Sequence, residues 1–151
     1  MTPSMGCRTA TRDDLPEVLR LYAQPEFDAG DVLTLADAER LFARIESYPD
    51  YRIHVATQEG RIVGTFALLV MDNLGHRGAR SAVIEDVAVD PAWRRHGVGR
   101  LMMAHALRMA AEKGCYKAVL SSNLERRQAH AFYESLGFER HGYSYRIDIH
   151  P

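Results

Sequence analysis

The sequence predicts a single α/β domain built on a mixed sheet with helices against its faces. Helical and strand patterns follow one another in the order β-α-α-β-β-β-α-β-α-β, which is typical of that class. The 151 residues contain no internal repeat, linker or low-complexity tract, so residues 1–151 are predicted to form one domain. A chain of this length can bury a hydrophobic core without disulfides or metal ions to hold it.

Hydrophobic periodicity and capping residues place the individual elements. The predicted strands lie at residues 6–10, 51–57, 61–71, 81–89, 116–121 and, as a final pair, within 138–149. Thr11, followed three positions later by Asp14, resembles a capping box at the start of the first helix. Thr34 begins the second helix, and further helices are predicted at residues 98–113 and 125–136.

The charges of the chain nearly cancel but are unevenly distributed. Nineteen Lys and Arg stand against twenty Asp and Glu, a formal net charge of −1, which argues against a nucleic-acid partner. Residues 1–50 carry five basic and ten acidic side chains, whereas residues 91–117 carry six basic and one acidic. Such a basic segment indicates either an anion-binding site or a solvated helix face.

Cysteine usage and hydropathy favour a cytoplasmic protein. Cys7 and Cys115 are too few for a disulfide framework, and two lone thiols fit a reducing compartment. The N-terminus lacks a signal-peptide pattern. The longest apolar run, Phe66–Met71, is far shorter than the ~20 residues that span a bilayer. The histidines lack metal-ligand spacing, so no metal is predicted.

The most informative segment runs from Val87 to Arg100, where an apolar strand leads through a glycine-containing loop into a helix. A helix N-terminus presents unpaired N–H groups and partial positive charge, which suit a phosphate group. Gly97 and Gly99 let the backbone approach a ligand, and three arginines add charge. The segment lacks the end of a P-loop and the third glycine of a dinucleotide fingerprint. The alternative is a tight turn with solvated arginines.

Two blocks of the sequence resemble the GNAT superfamily of N-acetyltransferases. Arg94-x-x-Gly97-x-Gly99 after an apolar strand is similar to the acetyl-CoA signature of that family. Downstream, Ser122-Asn123 and the run Ala131–Phe138 resemble its second conserved block, and the order of elements matches over nearly the whole chain. The resemblance implies an acyltransferase with a GNAT fold, in which strands four and five splay apart. It also implies acetyl-CoA as cosubstrate and direct acetyl transfer to a primary amine.

The resemblance assigns residues to the cosubstrate. The pantetheine arm would pair with the backbone of Val87, Ala88 and Val89, and the Val87 N–H would polarise the thioester carbonyl. Asn123 and Phe132 would line the far side of that arm. The pyrophosphate would lie on the loop and first helical turn, at Arg94, Arg95, His96, Gly97, Val98, Gly99 and Arg100.

Glu85 and Tyr133 are the catalytic residues that the resemblance implies. Glu85 lies two residues before Val87, so strand alternation predicts that both point to one face. An alkyl ammonium and a carboxylic acid differ by about 6 pKa units, which favours proton transfer to Glu85 through water or a raised Glu85 pKa. Tyr133 would donate a proton or hydrogen bond to the departing thiolate. The alternatives are a carboxylate paired with an arginine for Glu85 and a packing aromatic for Tyr133.

Two subgroups of the family suggest the acceptor. The strand Glu85–Val89, together with Cys115–Lys117, resembles the glucosamine-6-phosphate N-acetyltransferases, whose active site is shared across a homodimer. The segment Ser122–Tyr133 resembles the aminoalkylphosphonate N-acetyltransferases. The expected acceptor-binding residues are Asp86, Tyr116, Lys117, Arg127 and His130. Alternation points Asp86 away from Glu85 unless the strand bulges.

Other assignments stay open at this point. The expected partners are acetyl-CoA and a small amine, within a homodimer and without nucleic acid or membrane. A protein or peptide amine acetyltransferase is an alternative, as is a regulatory module that binds acetyl-CoA without turnover. Glu85 and Tyr133 together argue against the module. His105, on the apolar stripe of its helix, is predicted to be a core histidine.

Overall fold

A computed structural model describes residues 4–150. The chain divides between Val119 and Leu120 into two compact units, which are described separately. In chain order the strands and longer helices are β1 (Met5–Thr9), α1 (Leu15–Tyr22), α2 (Leu35–Ser47), β2 (Tyr51–Gln58), β3 (Arg61–Met71), β4 (Arg80–Val89), α3 (Val98–Glu112), β5 (Cys115–Leu120) and α4 (Arg127–Ser135). A single domain over residues 1–151 stays a prediction.

The five strands form one sheet in the order β1-β2-β3-β4-β5. The first four pair antiparallel in succession, and β4 and β5 are parallel. The α/β class with a mixed, mostly antiparallel sheet is therefore confirmed. The divergence of β4 from β5 stays a prediction.

The predicted helix starts are confirmed by their capping contacts. The N–H of Thr11 donates to the Asp14 carboxylate at 2.7 Å, ahead of α1. Asp14 also accepts from both terminal nitrogens of Arg8, at 2.6 and 2.9 Å, and these bonds lower the pKa of the carboxyl group. At the start of α2, the N–H of Asp37 donates to the Thr34 hydroxyl at 3.2 Å.

The sheet of the first unit separates two packed layers. The layer under α1 and α2 is apolar and consists of Ala10, Leu15, Val18, Leu21, Ala38, Phe42, Val55, Ile62 and Ala88. Because successive side chains of a strand point to opposite faces, His54 lies on the other face from Val55. There the His54 ring stacks on Phe66, with centroids 4.9 Å apart, and meets the edge of His105 from α3 at 5.5 Å. His105 itself is only half-buried and lies 2.9 Å from Arg108 through its Nδ1, so the predicted core histidine packs at the margin of this layer, not inside it.

The second unit contains α4 and a C-terminal segment without regular secondary structure. Tyr133 is buried between Phe132 and Phe138, with ring centroids 5.3 and 5.8 Å away. The predicted final pair of strands is wrong, because the described residues 138–150 form neither strand nor helix. Tyr143, Tyr145, Ile147 and Ile149 alternate as in a strand but are 79–90% exposed. Alternation alone does not make a strand where no neighbouring strand supplies the hydrogen bonds.

Candidate active site

Strand β4 carries a β-bulge where the sequence places its two adjacent acids. Ala67 of β3 pairs with Glu85, but Thr65 pairs with Ala88, so Asp86 and Val87 have no Cα partner on β3. Asp86 adopts a left-handed φ of 53°, which accommodates the extra residue. The prediction that Glu85 and Val87 share a face by simple alternation is therefore wrong. Glu85 shares its face with Ala88 instead.

Two tyrosines and a third carboxylate accompany the acids of the bulge. Burial and the charge of Asp86 raise the pKa of Glu85, while burial and the charge of Asp28 raise that of Asp86. The charge of Asp86 also raises the pKa of Tyr22 and of Tyr51, in each case after burial. We call Tyr22, Asp28, Tyr51, Glu85 and Asp86 the carboxylate–tyrosine group. It lies on the side of the sheet that α1 and α2 cover.

Sequence reasoning missed Tyr22, Asp28 and Tyr51. The missing information was the bulge. In a regular strand Asp86 would point to the face opposite Glu85, whereas the bulge turns it toward the face covered by α1 and α2. An Asp at a left-handed position gives no glycine signal in the sequence, although Asp tolerates this conformation better than most residues. The sequence pattern therefore identifies the Glu-Asp pair but not the residues around it.

Beyond β4 the chain turns sharply at Asp90. The N–H of Asp90 donates to the carbonyl of Val63 at 2.8 Å, which holds the end of β4 against β3. The Asp90 carboxylate accepts from the N–H of Ala92 and from Arg20, each at 2.9 Å. These contacts direct the loop from the sheet edge toward the start of α3.

The start of α3 presents several backbone N–H groups without helical partners. The N–H of Leu101 donates to the carbonyl of Gly97 at 3.0 Å, across the cap. The N–H groups of Val98, Gly99 and Arg100 therefore precede the helical ladder. Arg95 and Gly97 have left-handed φ angles of 64° and 84°. Alternating backbone hands of this kind can form a concave anion-binding nest.

Arg94 and His96 make contacts within the loop and to the turn that follows α1. A guanidinium nitrogen of Arg94 donates to the side-chain oxygens of Gln24 at 3.0 Å and Glu26 at 3.2 Å. The amide nitrogen of Gln24 in turn donates to the carbonyl of Val89 at 3.1 Å. The Nδ1 of His96 lies 2.8 Å from the carbonyl oxygen of Arg94. Arg94 therefore connects the loop to the turn after α1 and also contributes charge to the loop.

Gly64 on β3 allows α3 to approach the sheet closely. A Cβ atom at this position would lie 2.8 Å from Cγ1 of Val98 and 2.9 Å from the sulfur of Met102. Both distances are too short for carbon in van der Waals contact. The absence of a side chain thus fixes how near the first turn of α3 lies to the strand.

Tyr116 and Lys117 lie together on β5. Both side chains are exposed, and the Lys117 ammonium lies 5.3 Å from the centre of the Tyr116 ring. The ring of His76, from the loop before β4, lies 4.8 Å from the same ring. The sequence-predicted Tyr-Lys pair is therefore a local cluster on the first unit.

In the second unit, Asn123 organises the start of α4. Its side-chain oxygen accepts from the N–H of Glu125 at 2.9 Å, and its carbonyl lies 2.7 Å from Nε2 of His130. Arg127 is the first residue of α4 and is exposed. Burial raises the pKa of Tyr133, which keeps its phenol protonated at neutral pH.

The described residues hold the predicted site in two groups. The first unit carries residues 85–100 together with Tyr116 and Lys117, and the second carries Asn123, Arg127, His130, Phe132 and Tyr133. Within residues 4–150, no cluster of three or more His, Cys, Asp or Glu side chains could hold a metal ion. None of the helices described for the chain is long and apolar enough to cross a membrane.

Comparison with known proteins gives consistent matches. The sequence model of the acetyltransferase (GNAT) family matches residues 15–138. A glucosamine 6-phosphate N-acetyltransferase of Trypanosoma brucei brucei is 37% identical over 90 residues, which are 60% of this chain and 59% of that relative. The aminoalkylphosphonate N-acetyltransferase of Salmonella typhimurium is 28% identical over 138 residues, covering 91% of this chain and 87% of the relative.

The fold has similar solved structures. A protein of Agrobacterium tumefaciens assigned as an acetyltransferase superposes with a TM-score of 0.89 at 35% identity, covering 95% of this chain and 99% of that one. The match to the trypanosomal relative spans less than two thirds of its length. What that relative acts on is therefore a guide to candidates for this chain.

Proposed function

The chain belongs to the GNAT acetyltransferase family, and we propose that it transfers the acetyl group of acetyl-CoA directly to the primary amine of a small molecule. One observation carries the proposal. Strand β4 leaves its register with β3 beside Glu85 and then leads, through the loop, to the N–H groups at the start of α3 that precede the helical ladder. A carboxylate for the amine, a backbone donor for a carbonyl and a phosphate cradle thus follow one another along a short stretch of one unit.

Acetyl-CoA would be bound chiefly by backbone groups. The pyrophosphate suits the N–H groups of Val98, Gly99 and Arg100 and the nest at Arg95 and Gly97. The pantetheine arm would pair with Val87, Ala88 and Val89, and would contact Asn123 and Phe132. A backbone donor in a bulge lies outside the regular ladder, so the Val87 N–H is suited to the thioester oxygen.

Acetyl transfer requires a neutral amine. Glu85 accepts the ammonium proton, directly or through a water molecule, and its raised pKa makes it a stronger base than an ordinary carboxylate. The amine nitrogen then attacks the thioester carbon, and the developing oxyanion is stabilised by the Val87 N–H. The C–N bond forms as the C–S bond breaks. The products are the N-acetyl amine and CoA.

Tyr133 is our candidate donor to the leaving sulfur. For an ordinary phenol and thiol, full proton transfer is uphill by about 2 kcal/mol. Burial raises the pKa of Tyr133 and so increases this cost, which favours a hydrogen bond to the thiolate over full transfer. The raised pKa of Tyr133 keeps the proton on its oxygen until the sulfur becomes basic. This role comes from the family resemblance and stays a proposal.

The first candidate acceptor is an amine attached to a phosphorus oxyanion, such as a phosphorylated amino sugar or an aminophosphonate. The named activities of the trypanosomal and Salmonella relatives support this class. Lys117, Arg127 and His130 would bind the oxyanion, with Tyr116 and Asp86 completing the acceptor side.

A second candidate is an amine that carries a further ammonium group, such as a polyamine. The observation that favours it is the charge of the carboxylate–tyrosine group. Among the described residues, the charges that shift the pKa values of Glu85 and Asp86 are those of other carboxylates. An additional ammonium group would relieve this repulsion, whereas a phosphate at the same position would add to it.

A thiol-release assay with acetyl-CoA and a panel of acceptors tests the proposal. The panel contains glucosamine 6-phosphate, an aminoalkylphosphonate, a polyamine and a peptide, each at matched amine concentration. We expect turnover with at least one small amine, lowered about 10²–10⁴-fold in Glu85→Gln and in Tyr133→Phe. Turnover on the peptide alone would replace the small-molecule assignment with a protein acetyltransferase.

The same panel separates catalysis from sensing. A regulatory module would bind acetyl-CoA, seen by calorimetry, but release no thiol above the background with any acceptor. Full activity in Glu85→Gln would show that Glu85 is not the base. Full activity in Tyr133→Phe would show that Tyr133 is not the proton donor. A homodimer and a cytoplasmic location stay predictions, which sedimentation and cell fractionation can address.

A further inference from the structure

A cavity of about 80 Å³ opens in the first unit beside the C-terminal end of α3. Its lining residues are Pro49, Asp50, Arg52, His54, Leu68, Val70, Met109 and Lys113. The floor residues His54, Leu68 and Val70 are buried, and the rim at Pro49 and Lys113 is exposed. Helix α3 has 15 residues, about 22 Å, and reaches the cavity with its last turn. The cavity is therefore distinct from the phosphate cradle at the other end of the helix.

His54 is a polar group on this floor that the protein itself leaves unpaired. Its side chain is only 1% exposed, and neither ring nitrogen has a hydrogen-bond partner among the described residues. The ring faces of His54 and Phe66 stack, so the ring is held in a fixed orientation. Buried polar groups are nearly always paired, and an unpaired one costs free energy. A ligand in the cavity could supply the missing partner.

The charge around His54 is positive. After burial, the groups that lower its pKa, to about 4, are His105, Lys113 and Arg52. His54 is therefore neutral at pH 7 and carries one N–H donor and one acceptor. Asp50 is the acid of the lining, and it already accepts from both Lys113 and Arg80. The single carboxylate is thus shared between two cations.

Arg52 retains donors that face no described partner. Its Nη1 donates to the carbonyls of Tyr48 and Tyr51, at 2.8 and 2.7 Å. These bonds hold the guanidinium at the cavity and use only one of its three nitrogens. The remaining N–H groups, the Lys113 ammonium and the His54 N–H are all donors, so the chemistry of the cavity matches an acceptor-only ligand.

We propose that this cavity binds a small oxyanion, such as inorganic phosphate or a carboxylate, through the His54 N–H, Lys113 and Arg52. The volume, a few times the roughly 30 Å³ that a water molecule occupies, limits the ligand to a few heavy atoms. The inference does not depend on the acetyltransferase activity, since no cavity residue belongs to the proposed catalytic or acetyl-CoA-binding set.

Titration of the ring nitrogens of His54 by NMR tests the proposal. Inorganic phosphate is added at constant ionic strength, with acetate and chloride in parallel arms. We expect phosphate or acetate to shift the His54 ring resonances with saturation, and chloride to leave them nearly unchanged. Lys113→Gln and Arg52→Gln should each raise the dissociation constant about tenfold or more, because each removes a charged donor. Which oxyanion binds more tightly distinguishes a phosphate site from a carboxylate site.

The local signal separates this cavity from phosphate bound at the start of α3. Arg61→Gln, which removes an exposed arginine of β3 outside the cavity lining, is the matched control and should bind as the parent does. Neither lining substitution replaces a buried residue, so the test does not depend on a variant of His54 that folds. His54 resonances that do not change with either oxyanion would overturn the proposal. Equal responses to chloride, or unchanged affinity in Lys113→Gln and Arg52→Gln, would overturn it as well.

Discussion

Gly64 and Val98 approach so closely that a single methyl group would not fit between them. A Cβ at Gly64 would lie 2.8 Å from Cγ1 of Val98, the first residue of α3. The position of the proposed phosphate cradle therefore depends on the packing of a strand residue that lies outside the loop and helix start forming the cradle. This relationship can be tested by a substitution and its rescue.

Gly64→Ala should raise the KM for acetyl-CoA and lower kcat/KM about tenfold, because a small displacement of the cradle misplaces the cosubstrate. Overpacking should also lower the free energy of unfolding by about 1–3 kcal/mol. Adding Val98→Ala and Met102→Ala removes the obstructing atoms and should restore much of the KM. Gly6→Ala is the control, since its Cβ would lie an ordinary 3.6 Å from the Thr57 hydroxyl. An unchanged KM in Gly64→Ala would mean that this contact does not set the cradle.

Asp86→Asn should move the acid limb of the pH–rate profile to lower pH. Burial and, after it, the negative charge of Asp86 raise the pKa of Glu85. Removal of the charge takes away the second cause, which lowers that pKa and keeps the base ionised in more acidic solution. Asn accepts the left-handed φ of 53° at this position, so the bulge should persist. The measurement is kcat/KM against pH for both proteins. A limb that stays in place would show that Glu85 is not the group titrating there.

His54 should make the protein less stable in mildly acidic solution. Its pKa in the folded chain is about 4, against an ordinary value of about 6.5. Between these values the unfolded state binds the extra proton, so this stability is complete above about pH 6.5 and is lost as the pH falls toward 4. The full loss is about 3 kcal/mol. The facing groups His105, Lys113 and Arg52 are cationic or become so, and none opposes the loss.

Urea unfolding at pH 7 and near pH 4.5 measures this effect. His54→Phe, which keeps a stacking ring without a titrating group, should reduce the difference between the two free energies. His141→Gln replaces an exposed histidine and should leave the difference as it is. An equal pH dependence in His54→Phe and the parent would exclude His54 as its source.

Asp14→Asn should destabilise the first unit by about 1–3 kcal/mol at neutral pH. The substitution removes the charge that pairs with Arg8 and weakens the bond from the Thr11 N–H. The Asp14 side chain is 10% exposed but that of Arg8 is 48% exposed, so the smaller end of the range is expected. Because Arg8 lowers the Asp14 pKa, this contribution is present above about pH 4 and is lost as the pH falls through the folded-state value. Thermal unfolding at pH 7 and pH 3 is the measurement. The variant should be less stable than the parent at pH 7 and closer to it at pH 3, and an equal difference at both values would contradict the prediction.

The sequence was most informative where the determining forces are local. The capping pairs Thr11 with Asp14 and Thr34 with Asp37 predicted helix starts, because a side chain and an N–H three residues apart meet whatever the rest of the chain does. Gly97 marked the loop before α3 for the same reason, since its φ of 84° suits glycine.

Tertiary pairing determines what the sequence did not predict. The bulge at Asp86 depends on the register between β4 and β3, which no residue of β4 records by itself. The unpaired ring of His54 depends on which side chains surround it in three dimensions. Tyr143 and Ile147 have the alternation of a strand, but a strand also requires a neighbour. Function within the family followed from motifs, whereas the identity of the acceptor depends on side chains that the motifs leave unspecified.

The bulge in β4 also separates the charge presented to the acceptor amine from the packing of the hydrophobic core. An insertion of one residue leaves Glu85 and Ala88 facing the same packed layer that they would face if Asp86 were deleted and the strand were regular. Asp86, the inserted residue, is exposed and is not part of either packed layer. Substitutions at Asp86 can alter the charge offered to an incoming amine while the hydrophobic core stays as it is. Acceptor preference could in this way diverge among related enzymes without any compensating change in stability.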